Sequence, residues 1–305
     1  MKNSISLRVP ATSANLGPGF DCLGLALDLW NETTITLTGK EIKVIITGEG
    51  AGTIPDGCEN LIVRAMLHYY LALGKNVPEG ILIECTNRIP LGSGMGSSAS
   101  AVLAGLIGAN ALADSRLNTH ELLKLAIEME GHPDNVAASL YGGLTISVNC
   151  ENGDTLVRRL VPSPRLHAAL AVPILHLPTK AARAALPKNV PFCDAIFNIG
   201  RTALVVEALR SGDLEMLEEA VKDRLHQPYR LKLIPGAEAA LRAARQSGAC
   251  AAAISGAGPG IIALCDGHTN NIADSMVEAF LKAGVQARPF SLELSETGVQ
   301  VVPAK

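Results

Sequence analysis

The stretch that most constrains this chain is Pro90 to Ala101, Pro-Leu-Gly-Ser-Gly-Met-Gly-Ser-Ser-Ala-Ser-Ala. It separates a β-branched run, 80–85, that reads as a strand from an apolar, small-sided run, 99–113, that reads as a buried helix. A strand turning through such a loop into a helix presents unpaired N–H groups and the positive end of the helix dipole above the turn. Gly92, Gly94 and Gly96 let the backbone take positive φ and approach a ligand with no Cβ between them. An anion such as a phosphate suits that place. The same residues also fit an ordinary glycine-rich turn in which Ser97 or Ser98 caps the helix. The loop is not a Walker A loop, because no Gly-Lys-Ser/Thr closes it. Nor is it the dinucleotide fingerprint, which needs a glycine where Ser97 stands.

Lysines and arginines are scattered and the net charge is only −3, which argues against nucleic acid or an acidic membrane surface as the partner. A length of 305 residues suits two domains. Aromatics make up 3% of the chain, so the cores must be built from Ala, Val, Leu and Ile. The seven cysteines are odd in number and never spaced C-x-x-C, so free cytoplasmic thiols are expected, with neither a disulfide framework nor a zinc site. No leader peptide is expected in residues 1–17, and no apolar run reaches membrane-spanning length. The expectation is a soluble cytoplasmic protein.

In chain order, residues 5–9 alternate as a strand and run into Pro10–Gly24. The density of Gly, Pro, Ser and Asn there describes an irregular loop of the kind that carries function, and equally a plain surface turn. Strands are expected at 33–38 and 42–47, and Glu59-Asn60-Leu61 opens a helix reaching Leu73, with Glu59 in its first turn. Asn118 with Glu121 three residues on predicts a capping box for a helix that runs through Glu130 and stops at Gly131. Glu128 and Glu130 sit near its C-terminal end, where the dipole disfavours carboxylates, so one of them is expected to have a compensating partner. A Mg²⁺ held by a carboxylate, a serine hydroxyl and phosphate oxygens is one such partner; a solvated glutamate is the other reading, preferred for Glu128. A strand is expected at 144–148, and the polar, proline-marked stretch 151–165 suggests domains of 1–155 and 156–305. The second domain should hold a strand at 166–177, helices opening at Pro178 and spanning 193–211, 213–225 and 235–246, a break at 226–230, a strand at 261–264, a helix at 274–283 and a strand at 289–294.

Pro90, Gly94, Met95, Gly96, Ser97, Ser98 and Ala99 resemble the phosphate loop of the GHMP kinase superfamily, Pro-x-x-x-Gly-Leu/Met-Gly-Ser-Ser-Ala, and Ser255-Gly256-Ala257-Gly258-Pro259 resembles its third motif. Pro10–Asp21 and His132-Pro133-Asp134-Asn135 are similar to the superfamily's homoserine kinases. The resemblance implies an α+β, two-domain GHMP kinase fold, with an N-terminal domain like ribosomal protein S5 domain 2 and a ferredoxin-like C-terminal domain. It implies ATP and Mg²⁺, and phosphorylation of the side-chain hydroxyl of L-homoserine, a step toward threonine; dimerisation is a family-level expectation.

By the same resemblance Pro90, Gly92, Ser93, Gly94, Met95, Gly96, Ser97 and Ser98 cradle the nucleotide phosphates, and Asn60 lies near the base; a plain helix cap is the other reading of Asn60. Glu130 and a serine of the Ser97-Ser98 step, taken as Ser98, hold the metal. Asn15, Asp21, His132, Asn135, Arg183 and Arg230 bind the amino acid, the arginines at its carboxylate and Asn15 and Asp21 at its ammonium. Asn135 stands where other relatives carry an aspartate base, so Ser98, Glu130 and Asn135 are the expected catalytic residues, with no side-chain base among them. Gly260 replaces the Ser or Thr of many relatives and is expected to lose a hydroxyl contact. A related kinase of mevalonate-like alcohols, or a nucleotide sensor of the same fold, are the alternatives.

Overall fold

The computed structural model describes residues 3–114 and 116–302. β1 (Ser4–Ala14) and β2 (Leu23–Leu37) form a long antiparallel hairpin closed by residues 15–22. The sequence ends the first strand at residue 9 and begins the second at 33; both are longer. Pro10 reads as a terminator because it has no N–H to donate, but the register shifts between Pro10 and Ala11 and this bulge absorbs it. The functional loop thereby shrinks from 10–24 to 15–22.

β3 (Ile42–Gly48), α1 (Leu61–Ala72), β4 (Ile81–Asn87) and α2 (Ser97–Leu112) follow. Asn60 caps α1, so Glu59 stands ahead of the first turn rather than in it. α2 starts two residues earlier than the apolar pattern suggests; Gly96 at φ 72° is its N-cap, and Ser97 and Ser98 are its first helical residues. It is buried nearly all round, as its uniformly apolar sequence requires. α3 (Thr119–Glu130) carries the expected capping box, Asn118 accepting from the His120 and Glu121 amides while Glu121 accepts from the Asn118 amide. The eight-residue α4 (Asp134–Tyr141) is not foreseen, since a short helix behind Pro133 with no side-chain cap leaves little periodic signal. β5 (Leu144–Asn149) and β6 (Thr155–Leu160) complete this part.

β7 (His167–Pro173), α5 (Thr179–Ala184), α6 (Phe192–Ser211), α7 (Leu214–Ala220), α8 (Gln227–Arg230), α9 (Ala237–Gln246), β8 (Ala251–Ile254), β9 (Ile261–Cys265), α10 (Thr269–Lys282), β10 (Ala287–Glu293) and β11 (Gln300–Val302) make up the remainder. Where the sequence suggested only a break, residues 227–230 form one helical turn, and α10 begins five residues before the expected start, at a His268 cap in the left-handed region.

Two sheets result. The first has seven strands in the path β11-β1-β2-β4-β3, with β5 on β2 and β6 on β5. β6, which starts at Thr155, and β11, near the end of the chain, thus join the same sheet. The second is antiparallel in the order β10-β7-β9-β8, with α10 between β9 and β10 and helices between β7 and β8, the ferredoxin-like β-α-β-β-α-β arrangement. One core joins the first sheet to α1, α2 and α3 through Leu7, Ile35, Met66, Leu103 and Leu106. A second, with Leu25, Ile89, Met95, Leu170 and Ile262, lies between elements of both sheets, and a third packs α9 and α10 on the alanine-rich second sheet. Each buried leucine contributes about 1.5–3 kcal/mol. The middle core matters most for function, because it fixes the glycine-rich loop against β8 and β9.

Candidate active site

Gly94 has φ 79°, and a Cβ there would lie 2.1 Å from the Ser255 carbonyl oxygen. The loop therefore lies directly on the turn after β8, where Ser255 Oγ reaches Gly94 O at 2.8 Å and Ser13 Oγ at 2.9 Å. Gly96, whose Cβ would meet Thr12 Oγ1 at 2.1 Å, closes the loop onto β1. Gly260 belongs to the same contact: its amide donates to Ser93 O and a Cβ would stand 2.4 Å from that oxygen. A serine or threonine there would have to displace Ser93 and the loop. Ser93 is buried, its hydroxyl donating to Pro90 O and accepting from the Met95 amide. Met95 points into the middle core and Pro90 is buried, so both shape the loop without lining a cavity. No side chain caps α2, which leaves its first amides available to an anion.

Two cavities meet on this loop. One, with about 790 Å³ of empty space, is largely apolar and is bordered by Ile46, Ile54, Leu61, Leu91 and Ala101. The other, with about 680 Å³, is lined by charged and polar groups. Gly92, Ser97 and Ser98 line both. Asn60 borders the apolar cavity, but its amide is engaged, Oδ1 accepting from the Ile62 amide and Nδ2 donating to Pro55 O. Burial pushes the Cys85 thiol on the cavity wall up to about 11, so it stays protonated.

At the junction Ser98 Oγ donates to Glu130 Oε1 at 2.5 Å. Burial pushes the Glu130 carboxyl above its usual range, against the Ser98 hydrogen bond and the nearby His132. A carboxylate disfavoured by burial, hydrogen-bonded to a neutral hydroxyl and with His132 as the nearby cation, has room for further positive charge. A hard cation with phosphate oxygens as its other ligands fits this donor pair. Among the described residues no cluster of three or more His, Cys, Asp or Glu could hold a metal by protein ligands alone.

The polar cavity brings together all six residues expected at the amino acid. Asn15 and Asp21 take φ of 69° and 54°, and with Leu16 at 48° they are three of the five non-glycine left-handed residues among those described. Strain of this kind concentrates where side chains must be aimed. Asp21 accepts two hydrogen bonds from Arg183, each 2.8 Å, and this bidentate pairing is the main cause that raises the Arg183 pKa. Asn15 is less available than expected: Oδ1 accepts from the Asp21 amide and Nδ2 donates to Gly256 O. Arg230 is 1% exposed, and its partners Gly256 O, His226 Nδ1 and Ala182 O, at 3.2, 3.4 and 3.5 Å, are all neutral. Burial, and then the charge of Arg183, lower its pKa against the carboxylates of Asp21, Asp134 and Asp223, none of which is hydrogen-bonded to it. Such a cation calls for an anion in the cavity. Phe20 lies beneath both guanidinium groups, 5.6 Å from Arg183 and 5.0 Å from Arg230.

His132 Nδ1 donates to Asp134 Oδ1 at 2.7 Å. Burial works against the imidazolium, but Asp134 and Glu130 outweigh it and the pKa is raised. Asp134 also accepts from the Asn135 amide and Nδ2, while Asn135 Oδ1 accepts from Thr12 Oγ1 at 2.8 Å.

The family models GHMP kinases N terminal domain and GHMP kinases C terminal match residues 60–143 and 205–283, together more than half of the chain. The chain belongs to the GHMP kinases. It is 42% identical over 296 residues to a homoserine kinase of Moorella thermoacetica, covering 97% of this chain and 99% of that one, and 39% identical over 299 residues to a homoserine kinase of Desulfitobacterium hafniense. The crystal structure of homoserine kinase from Cytophaga hutchinsonii superposes with a TM-score of 0.86 at 33% identity, covering 99% and 98% of the two chains. Mevalonate kinase from L. major, at 17% identity and a TM-score of 0.68, shares the fold.

In this GHMP kinase several site residues escaped the sequence reading. Thr12, Ser255 and Asp134 fall inside recognised motifs yet carry no individual signal, because each acts through a partner distant in sequence. Phe20 stands out only once Arg183 and Arg230 are seen above it. Asn31, which accepts from the Arg88 and Ile89 amides and so fixes the strand end before the loop, lies in a part of β2 that the sequence left unassigned.

Proposed function

We propose that the protein transfers the γ-phosphoryl group of ATP to the side-chain hydroxyl of L-homoserine, giving O-phospho-L-homoserine and ADP. The observation that carries this reading is the buried Arg230, a guanidinium with only neutral partners, beside a half-exposed Asp21–Arg183 pair. An amino-acid zwitterion answers both: its carboxylate supplies the anion that Arg230 lacks, and its ammonium replaces Arg183 at Asp21 as Arg183 turns to the carboxylate. A mevalonate-like acid has no ammonium to offer Asp21.

The adenine lies in the apolar cavity among Ile46, Leu61 and Leu91, and the triphosphate crosses the shared edge at Gly92, Ser97 and Ser98. The open amides of α2 hold the phosphate oxygens. Ser98 and Glu130 would hold Mg²⁺ there, and the ion would supply positive charge to the phosphates. The homoserine hydroxyl oxygen bonds to the γ-phosphorus, the bond from that phosphorus to the bridging oxygen of ADP breaks, and the hydroxyl proton, with no side-chain base to take it, passes to solvent water. Bond breaking runs ahead of bond making in such a loose transition state, so the hydroxyl needs little help from a base. Asn135, an amide held by Thr12, fits a positioning role.

Release of ADP from Mg-ATP should depend on L-homoserine, with L-serine, mevalonate and no acceptor as comparisons. Equal turnover on mevalonate would discard the acceptor, and ATP binding without turnover on any acceptor would point to a sensor.

A further inference from the structure

The His226 ring is fully buried and borders neither cavity, yet it touches two elements that do. Its Nε2 lies 2.6 Å from Gly17 O, in the loop that carries Asn15, Phe20 and Asp21. Its Nδ1 lies 3.4 Å from Arg230 Nη1. A carbonyl only accepts and a guanidinium only donates, so both partners require the neutral ring with its proton on Nε2. The ring also stacks on Phe20, with centroids 5.2 Å apart. Asp223 sets this geometry from below: its carboxylate accepts from the His226, Gln227 and Leu225 amides and from Asn198 Nδ2, which fixes the turn into α8. The charged groups facing the ring are Asp223 on its own segment, Arg230 on α8 and Asp21 on the β1–β2 loop. Burial keeps the imidazole below its usual value, in agreement with the neutral form.

We propose that His226 is a positioning residue for the acceptor subsite: a single ring ties the Gly17 carbonyl to the Arg230 guanidinium and so sets the gap between Asp21 and Arg230 that the amino acid must span. This inference rests on the acceptor reading above. A ring that served stability alone would have no reason to act on one substrate and not the other.

The test compares H226Q and H226N with the wild type. The glutamine keeps a donor for Gly17 but loses the acceptor for Arg230, whereas the asparagine keeps an acceptor near Nδ1 and loses the tie to Gly17. Steady-state kinetics should show the homoserine KM of H226Q raised about tenfold or more with the ATP KM within twofold. H226N should recover part of that loss, and in an R230K background H226Q should add less than twofold. An unchanged homoserine KM in folded H226Q, a parallel rise in both KM values, or full additivity with R230K would each overturn the proposal. Wild-type turnover independent of L-homoserine would remove the acceptor reading, and this inference with it; homoserine-dependent wild-type turnover with no KM change in either variant would remove this inference alone.

Discussion

Replacing Arg230 with methionine should move stability and substrate affinity in opposite directions. Arg230 is a buried cation whose three hydrogen bonds run from 3.2 to 3.5 Å, long for charge-assisted contacts, and all go to neutral acceptors. Burying an ion with so little compensation costs several kcal/mol. Three long hydrogen bonds return about 1 kcal/mol each, and Phe20 and the carboxylates of Asp21, Asp134 and Asp223 offset part of the rest. Methionine keeps much of the length and apolar surface without the charge, so the ligand-free protein should be as stable as the wild type or more stable by up to about 2 kcal/mol, since replacing buried ionic groups by apolar ones is often neutral or stabilising. The same change removes a charge-assisted contact to the substrate carboxylate, about 1.5–3 kcal/mol, which corresponds to a rise of about 10- to 150-fold in homoserine KM. Calorimetric melting without ligand, alongside steady-state kinetics, reads both effects. A Tm several degrees lower with an unchanged homoserine KM would refute the reasoning, because it would make Arg230 a structural residue with no unmet charge.

Arg183→Ala should raise the homoserine KM about 10-fold or more, by the same contact energy, and leave the Tm within a degree or two, because its pair with Asp21 is half-exposed and surface pairs contribute about 0–1 kcal/mol; kinetics and calorimetry check both. Gly94→Ala should raise the ATP KM far more than Gly92→Ala, since both take positive φ but only the Gly94 Cβ meets an atom, Ser255 O at 2.1 Å; equal effects would show that backbone strain alone matters. Glu130→Gln should lower kcat at least about 100-fold while the ATP-free protein melts no lower, because burial disfavours the charge that the substitution removes. The pH dependence of stability should carry a His226 component. Its folded pKa is depressed by burial, so the unfolded chain takes up the proton first; the loss of stability sets in as pH falls below about 6.5 and levels off under the folded value. The Tm of His226→Asn should therefore fall less than that of the wild type between pH 7 and pH 5.

The sequence revealed the parts of this molecule whose physics is local. The alternating glycines before an apolar helix, the Asn118–Glu121 box and the apolar strands are short-range patterns, and the structure contains each of them. Pro10 misled because a bulge, invisible in one strand alone, lets a proline sit inside a paired strand. α4 and α8 are too short to show a period, and β11 owes its existence to β1, some three hundred residues away. In the site, the residues were legible as motifs, but their relations were not. Nothing in the order of residues says that Asp21 and Arg183 pair, or that the Gly260 amide meets Ser93 O; the Asn60 cap, in contrast, is a local signal, an asparagine directly before a helix. The ring of His226, between Gly17 and Arg230, belongs to the same class of long-range facts.

The account is tested most directly by identifying the phosphorylated product. Incubating the protein with Mg-ATP and L-homoserine and following the mixture by ³¹P NMR should show one new phosphomonoester signal. That signal should be split by the two protons of an adjacent CH₂ group and should grow in step with ADP. Inorganic phosphate growing with ADP in its place, or an acyl phosphate on the carboxylate, would contradict the assignment of the hydroxyl as acceptor and of Arg183 and Arg230 as the carboxylate's partners.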